Sequence, residues 1–238
     1  MTRGCSPRSA VRSSNASSAH VFVDDLAAPA LDEGDRHHLR RALRLRPGEP
    51  VTASDGAGRW RPCVWSGDGL EAVGAAAGPE PAPRPTVTVA FALTKGERPE
   101  WVVQKLTEAG VDRIVPFVAA RSVVRWEPDK AARNAERLRA VARAAAMQCR
   151  RVWLPSVEEV VPFSAAAALP GAALAEAGGE RPGLGRPTVL VGPEGGWSDE
   201  ERTCGLPAVS LGPAIYRAET AAVAAGVLLT ALREGLVT

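Results

Sequence analysis

A glycine-rich run is the first segment of this chain that could do chemistry. Gly192-Pro193-Glu194-Gly195-Gly196 follows apolar residues with the character of a buried strand. Glycines at the carboxyl end of a strand let backbone N–H and C=O groups approach a ligand closely, and open α/β sheets bind ligands at that edge. The spacing matches neither GxGxxG nor GxxxxGK[ST], so we expect neither a dinucleotide site nor a phosphate cradle. Taken alone, the run could also be a structural turn.

The residues that follow this run predict a helix. Ser198 and Glu201 have the S-x-x-E spacing of a capping box, in which each residue binds the other's backbone N–H. Trp197 stands directly before this box and next to the glycines. The sequence therefore predicts a strand, a glycine-rich loop and a helix in succession.

A second Gly-Pro loop lies about twenty residues further on. Gly212 and Pro213 follow a short strand predicted over 208–211, and an apolar helix is predicted over 219–232. Arg217, Glu219 and Thr220 stand at the start of that helix. Polar groups beside an apolar segment must be paired or functional. The alternative is a simple helix cap with an internal Arg217–Glu219 ion pair.

Two basic segments could bind a polyanion. Residues 36–46 contain five arginines and no acid, and residues 121–151 carry a local charge of +6. The whole chain carries only +2, so such a partner must be held by local patches. The alternative is a solvated helix face. We interpret His37 and His38 as a packed or RNA-facing pair rather than as catalytic groups.

The carboxyl-terminal part of the chain alternates strands and helices. Strands are predicted over 86–93, 112–118, 171–176 and 188–192, and helices over 99–110, 128–148 and 219–232. This rhythm is typical of an α/β fold with a mostly parallel sheet covered by helices. The last helix is apolar around nearly its whole circumference, which predicts burial on all sides, often partly by another subunit.

The amino-terminal part has a different organisation. Strands are predicted over 20–23, 50–54 and 60–65, and a helix capped by Asp35 is predicted to run to Pro47-Gly48. A small β-barrel over 20–77 is the natural closure of these elements. Residues 78–85 contain four prolines and predict a stiff linker. Residues 1–19, rich in Ser and Arg, resemble a transit peptide in composition or form a disordered tail.

Composition excludes several classes of protein. With 45% apolar and 24% charged residues, the 238-residue chain is typical of globular proteins. No run approaches the roughly 18 apolar residues of a membrane span. The four cysteines are far apart and form no CxxC pair, so we expect no zinc site, no disulfide framework and a reducing cytoplasm.

Taken together, these segments resemble one known family. The pieces that carry the resemblance are GPEGGWSDEE, LGP..YRAETAA, VVQKLTEAGVDRIVPF, Gln148-Cys149-Arg150-Arg151 and the amino-terminal HHLRRALRLRPGE…SDGAG. They resemble the SPOUT superfamily of methyltransferases and, within it, the ribosomal RNA small subunit methyltransferase E family. The resemblance extends over residues 20–238.

The resemblance implies a fold, a reaction and partners. It implies a PUA-like RNA-binding barrel over 20–77 and a SPOUT methyltransferase domain with a carboxyl-terminal trefoil knot over 86–238. It implies S-adenosylmethionine as cofactor, held bent by the knot loops, and no metal. The implied product is N3-methylated uridine at position 1498 of 16S rRNA, formed in the assembled 30S subunit. The implied protein is a cytoplasmic homodimer that does not bind membranes.

Site residues follow by position in the matching motifs. Arg217 is the candidate for stabilising negative charge on the uracil carbonyls, and Glu219 for orienting Arg217 or accepting the proton. Candidate cofactor contacts are Leu174, Glu176, Gly192, Glu194, Gly195, Gly196, Leu211, Gly212, Ile215, Tyr216 and Arg217. Candidate RNA contacts are Arg36, Arg40, Arg41, Arg44, Arg121, Arg125 and Arg151.

The chain departs from the family pattern at Met147, where a Glu is usual, and at Ala214, where an Arg is usual. A structural ion pair lost as a unit would explain both changes, as would an altered substrate or lost activity. We favour the first because Gly192, Gly196, Arg217 and Glu219 are retained. The competing functions are methylation of another RNA position or a ribose hydroxyl, and rRNA binding without a cofactor.

Overall fold

The computed structural model describes residues 17–238. These residues form two compact units, one made of residues 17–82 with Ala146–Leu154 and the other of Pro83–Ala145 with Pro155–Thr238. The boundary after Ala82 lies inside the proline-rich segment. The sequence did not predict that residues 146–154 would belong to the first unit. The tail predicted over 1–19 lies outside the described residues up to residue 16.

The described part of the first unit contains a four-stranded sheet. Its strands are β1 (Ala19–Phe22), β2 (Pro50–Ser54), β3 (Trp60–Trp65) and β4 (Leu70–Ala72), in that spatial order. β1 runs parallel to β2, and β2, β3 and β4 are antiparallel neighbours. β1 starts earlier than predicted, since Ala19 pairs with Val51 and the N–H of Ser18 donates to the carbonyl of Pro50.

The helix of the first unit differs from the prediction at both ends. It begins as α1 (Glu33–His37) and continues as a π-helical turn over His38–Ala42. Asp32, not Asp35, is the cap: its Oδ1 accepts the N–H of Asp35 at 2.7 Å. The helix ends four residues before the predicted end at Arg46, and Arg44 adopts a positive φ of 53°.

Residues 146–154 join the first unit through hydrogen bonds. The Ser54 hydroxyl donates to the carbonyl of Val152 at 3.1 Å, and Ala57 and Trp153 form an isolated antiparallel bridge. The indole of Trp153 lies against Gly58, where a Cβ would stand only 2.6 Å from the ring. The turn at residues 55–58 therefore accepts a segment almost a hundred residues away.

The described second unit contains a seven-stranded sheet. Its strands are β5 (Thr88–Ala92), β6 (Arg113–Val118), β7 (Ser156–Val157), β8 (Val161–Pro162), β9 (Ala172–Glu180), β10 (Thr188–Val191) and β11 (Ala208–Val209). The main path of the sheet has the order β11-β9-β10-β5-β6-β7, β8 also pairs with β6, and every pair is parallel. The predicted α/β fold with a parallel sheet is confirmed.

Helices cover both faces of this sheet. They are α2 (Arg98–Glu108), α3 (Pro128–Gln148), α4 (Phe163–Ala167), α5 (Asp199–Arg202) and α6 (Ala218–Arg233). One apolar cluster packs Val89, Leu106 and Leu229 together, and a second packs Ala90, Phe117 and Leu190. Neighbouring residues of β5 belong to different clusters, which explains why every residue of that strand is buried.

The last helix is buried on one face rather than on all sides. Ala222, Ala225 and Leu229 of α6 are fully buried. Val227 on the same helix is 48% exposed. Within the single chain only the side that meets α2, β5 and β10 is covered, and cover of the remaining side by another subunit stays a prediction. Within residues 17–238, no helix combines the length and apolarity needed to cross a membrane.

Candidate active site

The parallel sheet brings the two predicted loops to one edge. β9, β10, β5, β6 and β11 all point the same way, so the segments that follow them emerge at the same end of the sheet. The glycine-rich loop follows β10 at Val191, and the second Gly-Pro loop follows β11 at Val209. In α/β sheets this carboxyl edge is where ligands bind.

A capping box closes the glycine-rich loop, as predicted. The N–H of Glu201 donates to Ser198 Oγ at 3.2 Å, and the N–H of Ser198 donates to Glu201 Oε2 at 2.9 Å. Hydrogen bonds at this turn lower the pKa of Glu200, first from its own backbone N–H and then from Ser198. The loop therefore ends in a fixed turn.

Trp197 supports the loop from inside the protein. Its indole N–H donates to the carbonyl of Ala175 at 3.1 Å, and its ring stacks on Phe117 with the centroids 6.1 Å apart. A Cβ at Gly192 would stand 3.0 Å from this indole, so glycine permits the close approach. Because Trp197 is buried, it holds the loop in place rather than presenting a face to a ligand.

The loop after β6 is tied to the glycine-rich loop. Glu201 Oε1 accepts the N–H of Ala120 at 2.7 Å. Arg121, a candidate RNA contact, donates from Nη1 to the carbonyl of Gly195 at 3.2 Å. Arg121 thus lies at the candidate cofactor loop, which sequence spacing alone did not indicate.

The second loop is open to solvent. Ile215 is 95% exposed, and Tyr216 is also exposed. Gly212 has a φ of +151°, and a Cβ there would stand 2.7 Å from the Tyr216 hydroxyl. Leu211 packs partly against the apolar core below. The loop therefore combines one anchored residue with exposed side chains that a ligand could cover.

Two candidate cofactor residues on β9 occupy unexpected surroundings. The Leu174 side chain is buried in the core, and its N–H donates to the carbonyl of Pro207 at 2.8 Å. This side chain packs in the same apolar cluster as Trp197, below the glycine-rich loop. Glu176 is partly exposed and accepts a hydrogen bond from Arg202 Nε at 2.7 Å.

One carboxylate of the glycine-rich loop and one at the start of α6 share a single cation. Arg98, in the first turn of α2, forms ion pairs with Glu194 of the glycine-rich loop and with Glu219 of α6. The Arg98 Nε–Glu219 Oε1 distance is 3.8 Å. The predicted alternative of an Arg217–Glu219 pair is thus replaced by an Arg98–Glu219 pair. Arg217 is the exposed cap residue of α6.

A cavity of about 510 Å³ opens beside this cluster. The second oxygen of Glu219, Oε2, is buried and has no hydrogen-bond partner. The lining residues are Glu97, Arg98, Trp101, Arg217, Glu219 and Thr220. The sequence pattern pointed to the last three of these residues but not to Glu97, Arg98 and Trp101. The signal available for the latter three was their position just after β5, at the same carboxyl edge.

The remaining basic candidates fall in both units. Arg40, Arg41 and Arg44 are exposed in the first unit. Arg36 Nε stands 3.9 Å from Asp68, and a cavity of about 600 Å³ is lined there by Glu33, Gly34, Arg36, His37, Arg40 and Asp68. Arg151 is half-buried in the first unit, and Arg125 is exposed in the second.

The two departures from the family pattern also fall in different units. Met147 packs against the apolar core of the first unit. Ala214 is exposed in the loop after β11 of the second unit. Met147 is thus accommodated as a packing residue.

Comparison with known proteins places this geometry in a family. The model of the RNA methyltransferase domain matches residues 80–230, which include both loops. The Ribosomal RNA small subunit methyltransferase E of Mycobacterium bovis is 36% identical over 230 residues, covering 86% of this chain and 88% of that protein. The chain belongs to the ribosomal RNA small subunit methyltransferase E family. It is therefore an RNA methyltransferase by family.

Solved structures of similar proteins agree with this assignment. The Neisseria gonorrhoeae Ribosomal RNA small subunit methyltransferase E, bound to S-adenosyl methionine, has a TM-score of 0.76 and 25% identity, covering 90% of this chain and 97% of that one. A Legionella pneumophila putative methyltransferase in complex with the same cofactor has a TM-score of 0.74 and 25% identity, covering 89% and 96%. The fold of this family member therefore matches proteins whose structures contain that cofactor.

Proposed function

We propose that this methyltransferase E family member transfers a methyl group from S-adenosylmethionine to N3 of a uridine in 16S rRNA. Its substrate is the assembled 30S subunit, and it acts in the cytoplasm. The observation that carries the proposal is the cluster of Arg98, Glu194 and Glu219 beside an open cavity, between two glycine-containing loops.

The loops suit a polar cofactor that makes many contacts with backbone groups. Gly192, Gly195 and Gly196 leave backbone groups accessible, and the exposed Ile215 and Tyr216 can cover a ligand. When bound, S-adenosylmethionine supplies an activated methyl group on sulfur. The residues that would hold it are Glu176, Gly192, Glu194, Gly195, Gly196, Leu211, Gly212, Ile215, Tyr216 and Arg217, with Leu174 limited to backbone contact.

The side chains prepare the uridine for attack. The N3 proton of uracil must leave as the N3–methyl bond forms, and Glu219 Oε2, buried and unpartnered, is the group that accepts it. Arg217 stabilises the negative charge that spreads to the uracil carbonyl oxygens. Holding both reactants in line contributes about 7–11 kcal/mol to lowering the barrier.

In this proposal the first unit binds the RNA. We assign it as a PUA-like barrel over 20–77, followed by a linker over 78–85. Exposed arginines at 40, 41 and 44 suit contacts with phosphates, which supply salt-sensitive affinity. Arg36, Arg125 and Arg151 extend these contacts, and Arg121 touches RNA next to the cofactor loop.

The second unit is the catalytic domain in this proposal. We assign residues 86–238 as a SPOUT domain whose carboxyl-terminal part forms a trefoil knot. The protein acts as a homodimer, and the exposed apolar side of α6, with Val227, supports a partner subunit there. No metal takes part in the reaction.

The test is methyl transfer from labelled S-adenosylmethionine to purified 30S subunits lacking the modification, with naked 16S rRNA in parallel. Nucleoside mass spectrometry identifies the product. 3-Methyluridine formed on 30S supports the proposal. A different methylated nucleoside would show that the protein methylates another position. Absence of both product and cofactor binding contradicts the proposal and favours an rRNA-binding factor.

A further inference from the structure

The cavity beside Arg98 is lined partly by side chains to which the proposed reaction gives no role. It is lined by the first turns of α2 and α6, and its volume of about 510 Å³ lies within the range of small-ligand pockets. Three of its side chains, Glu97, Arg98 and Trp101, follow β5 and belong to neither glycine-containing loop.

The charged groups that line the cavity are two carboxylates, Glu97 and Glu219, and two guanidinium groups, Arg98 and Arg217. Glu219 Oε2 is buried without a partner, while its other oxygen faces Arg98 Nε at 3.8 Å. Within residues 17–238, no carboxylate forms an ion pair with Arg217. Arg98 is already paired with Glu194 and Glu219, so a ligand that presents an N–H donor beside a carbonyl acceptor would supply partners for Glu219 Oε2 and for Arg217.

The imide edge of uracil has this composition. Its N3–H is a donor, and the C2 and C4 carbonyl oxygens on either side are acceptors. Cytosine has no proton on N3, so Glu219 would have no proton to accept. Its 4-amino group would also place a hydrogen-bond donor against the guanidinium of an arginine, which is itself a donor. Mismatched buried polar groups of this kind give strong discrimination.

Trp101 supplies the apolar wall of the cavity. It is 44% exposed although it stands on a helix whose other large apolar residues are buried. Nucleobases taken out of a helix stack on aromatic side chains in the pockets of base-modifying enzymes. An exposed indole beside a buried acceptor suits that contact.

We propose that this cavity receives the target uracil after it leaves the RNA stack. Trp101 stacks on the base, and Glu219 and Arg217 bind its imide edge. Arg98 acts as a positioning residue, since it connects Glu219 to Glu194 of the cofactor loop. This inference rests on the proposed function and names the substrate pocket of the same site.

The experiment compares kinetics of methyl transfer to 30S subunits for the wild type and three variants. Trp101→Ala is expected to lower kcat/KM for 30S roughly 10- to 100-fold, because stacking on one base contributes that much. Trp101→Phe keeps an aromatic ring and is expected to recover most of the loss. Lys105→Ala, on the same helix and paired with Glu108 away from the cavity, is the control and is expected to match the wild type.

Cofactor affinity and oligomeric state are measured for each variant by titration and by sedimentation. The proposal expects both to be unchanged in Trp101→Ala. A kcat/KM within twofold of wild type overturns it, as does a fall in cofactor affinity that explains the whole loss. A shift toward monomer also overturns it, because Trp101 would then contact a second copy.

Arg98 is tested by the same assay. Arg98→Ala is expected to reduce kcat at saturating cofactor at least tenfold, a loss that weaker cofactor binding through Glu194 cannot explain, and Arg98→Lys to recover part of it. Equal kcat in both variants and wild type overturns the positioning role. A wild-type protein that methylates no 30S uridine would instead contradict the proposed function, so the two failures are distinguishable.

Discussion

The two units place their charged side chains in contrasting ways. In the second unit the strands are parallel, so residues far apart in sequence, such as Arg98, Glu194 and Glu219, meet at one edge of the sheet. In the first unit β2, β3 and β4 are antiparallel neighbours, and three of its arginines, Arg40, Arg41 and Arg44, lie exposed on one short helix and the turn after it. Parallel topology concentrates polar groups for chemistry, whereas the first unit spreads positive charge over a surface.

The largest effect is expected at the edge of the second unit. Arg217→Ala should lower kcat for 30S methylation about 10²–10³-fold, the usual cost of removing a group that stabilises an oxyanion. Circular dichroism and thermal unfolding should be unchanged because Arg217 is exposed. Arg217→Lys, which keeps the charge, should retain more activity. Near-normal turnover of Arg217→Ala would remove Arg217 from the mechanism.

Glu201 tests whether the stability of the second unit depends on the link between the loop after β6 and the glycine-rich loop. Glu201 is only 4% exposed, and its carboxylate accepts hydrogen bonds from the N–H groups of Ser198 and Ala120. Glu201→Ala should lower the free energy of unfolding by about 3 kcal/mol, because hydrogen bonds to charged groups contribute ~1.5–3 kcal/mol each. It should also weaken cofactor binding. Chemical denaturation and titration measure both effects.

Glu200→Ala is the matched control for this variant. Glu200 is the adjacent residue and is exposed, so its removal should change unfolding little. If the two variants lost equal stability, the link between the loops would not be the cause.

His20 tests the first unit on its own. Burial, with the nearby charge of Arg150 acting in the same direction, lowers the pKa of His20 from 6.5 to about 4. The unfolded chain then binds the extra proton between those values, so stability is lost as pH falls from about 6.5 to 4. The loss amounts to about 3 kcal/mol. Urea unfolding at pH 7 and pH 4 should show it.

His20→Leu should remove this part of the pH dependence and leave the part due to carboxylates. The informative quantity is the difference between the two proteins in the pH-induced change. An identical change in wild type and variant would mean that His20 is not the group responsible.

The smallest expected effect concerns RNA affinity. Arg40→Gln with Arg41→Gln should reduce the slope of log Kd against log salt by about 0.7–0.9 for each phosphate that the variant no longer neutralises. Affinity for S-adenosylmethionine should not change. Arg181→Gln, at an exposed position of the second unit, is the control. A loss of cofactor affinity in the double variant would contradict the assignment of RNA binding to the first unit and cofactor binding to the second.

Strong local patterns predicted many of the elements. β2, β3 and α3 begin and end at the predicted residues, because alternation or long helical periodicity determined them. The two-residue strands β7 and β8 and the five-residue α4 are too short for any period to be visible. The cap of α1 was misplaced because Asp32 and Asp35 are both good caps and only the fold distinguishes them.

Long-range pairing could not be read from the chain. The two loops of the candidate site were visible as local motifs, but the partner of Glu219 is Arg98, more than a hundred residues earlier. That pairing depends on β5 standing near the centre of the sheet order. The burial of Leu174 likewise follows from neighbours on β10 and β11 rather than from its own segment.

A crystal structure of the protein with S-adenosylmethionine tests the division between the two units most directly. We expect density for the cofactor against residues 192–197 and 211–217 of the second unit, with its methyl group facing the cavity lined by Trp101 and Glu219. Cofactor bound instead in the first unit, at the cavity beside Arg36 and Arg40, would contradict the assignment of catalysis to the second unit.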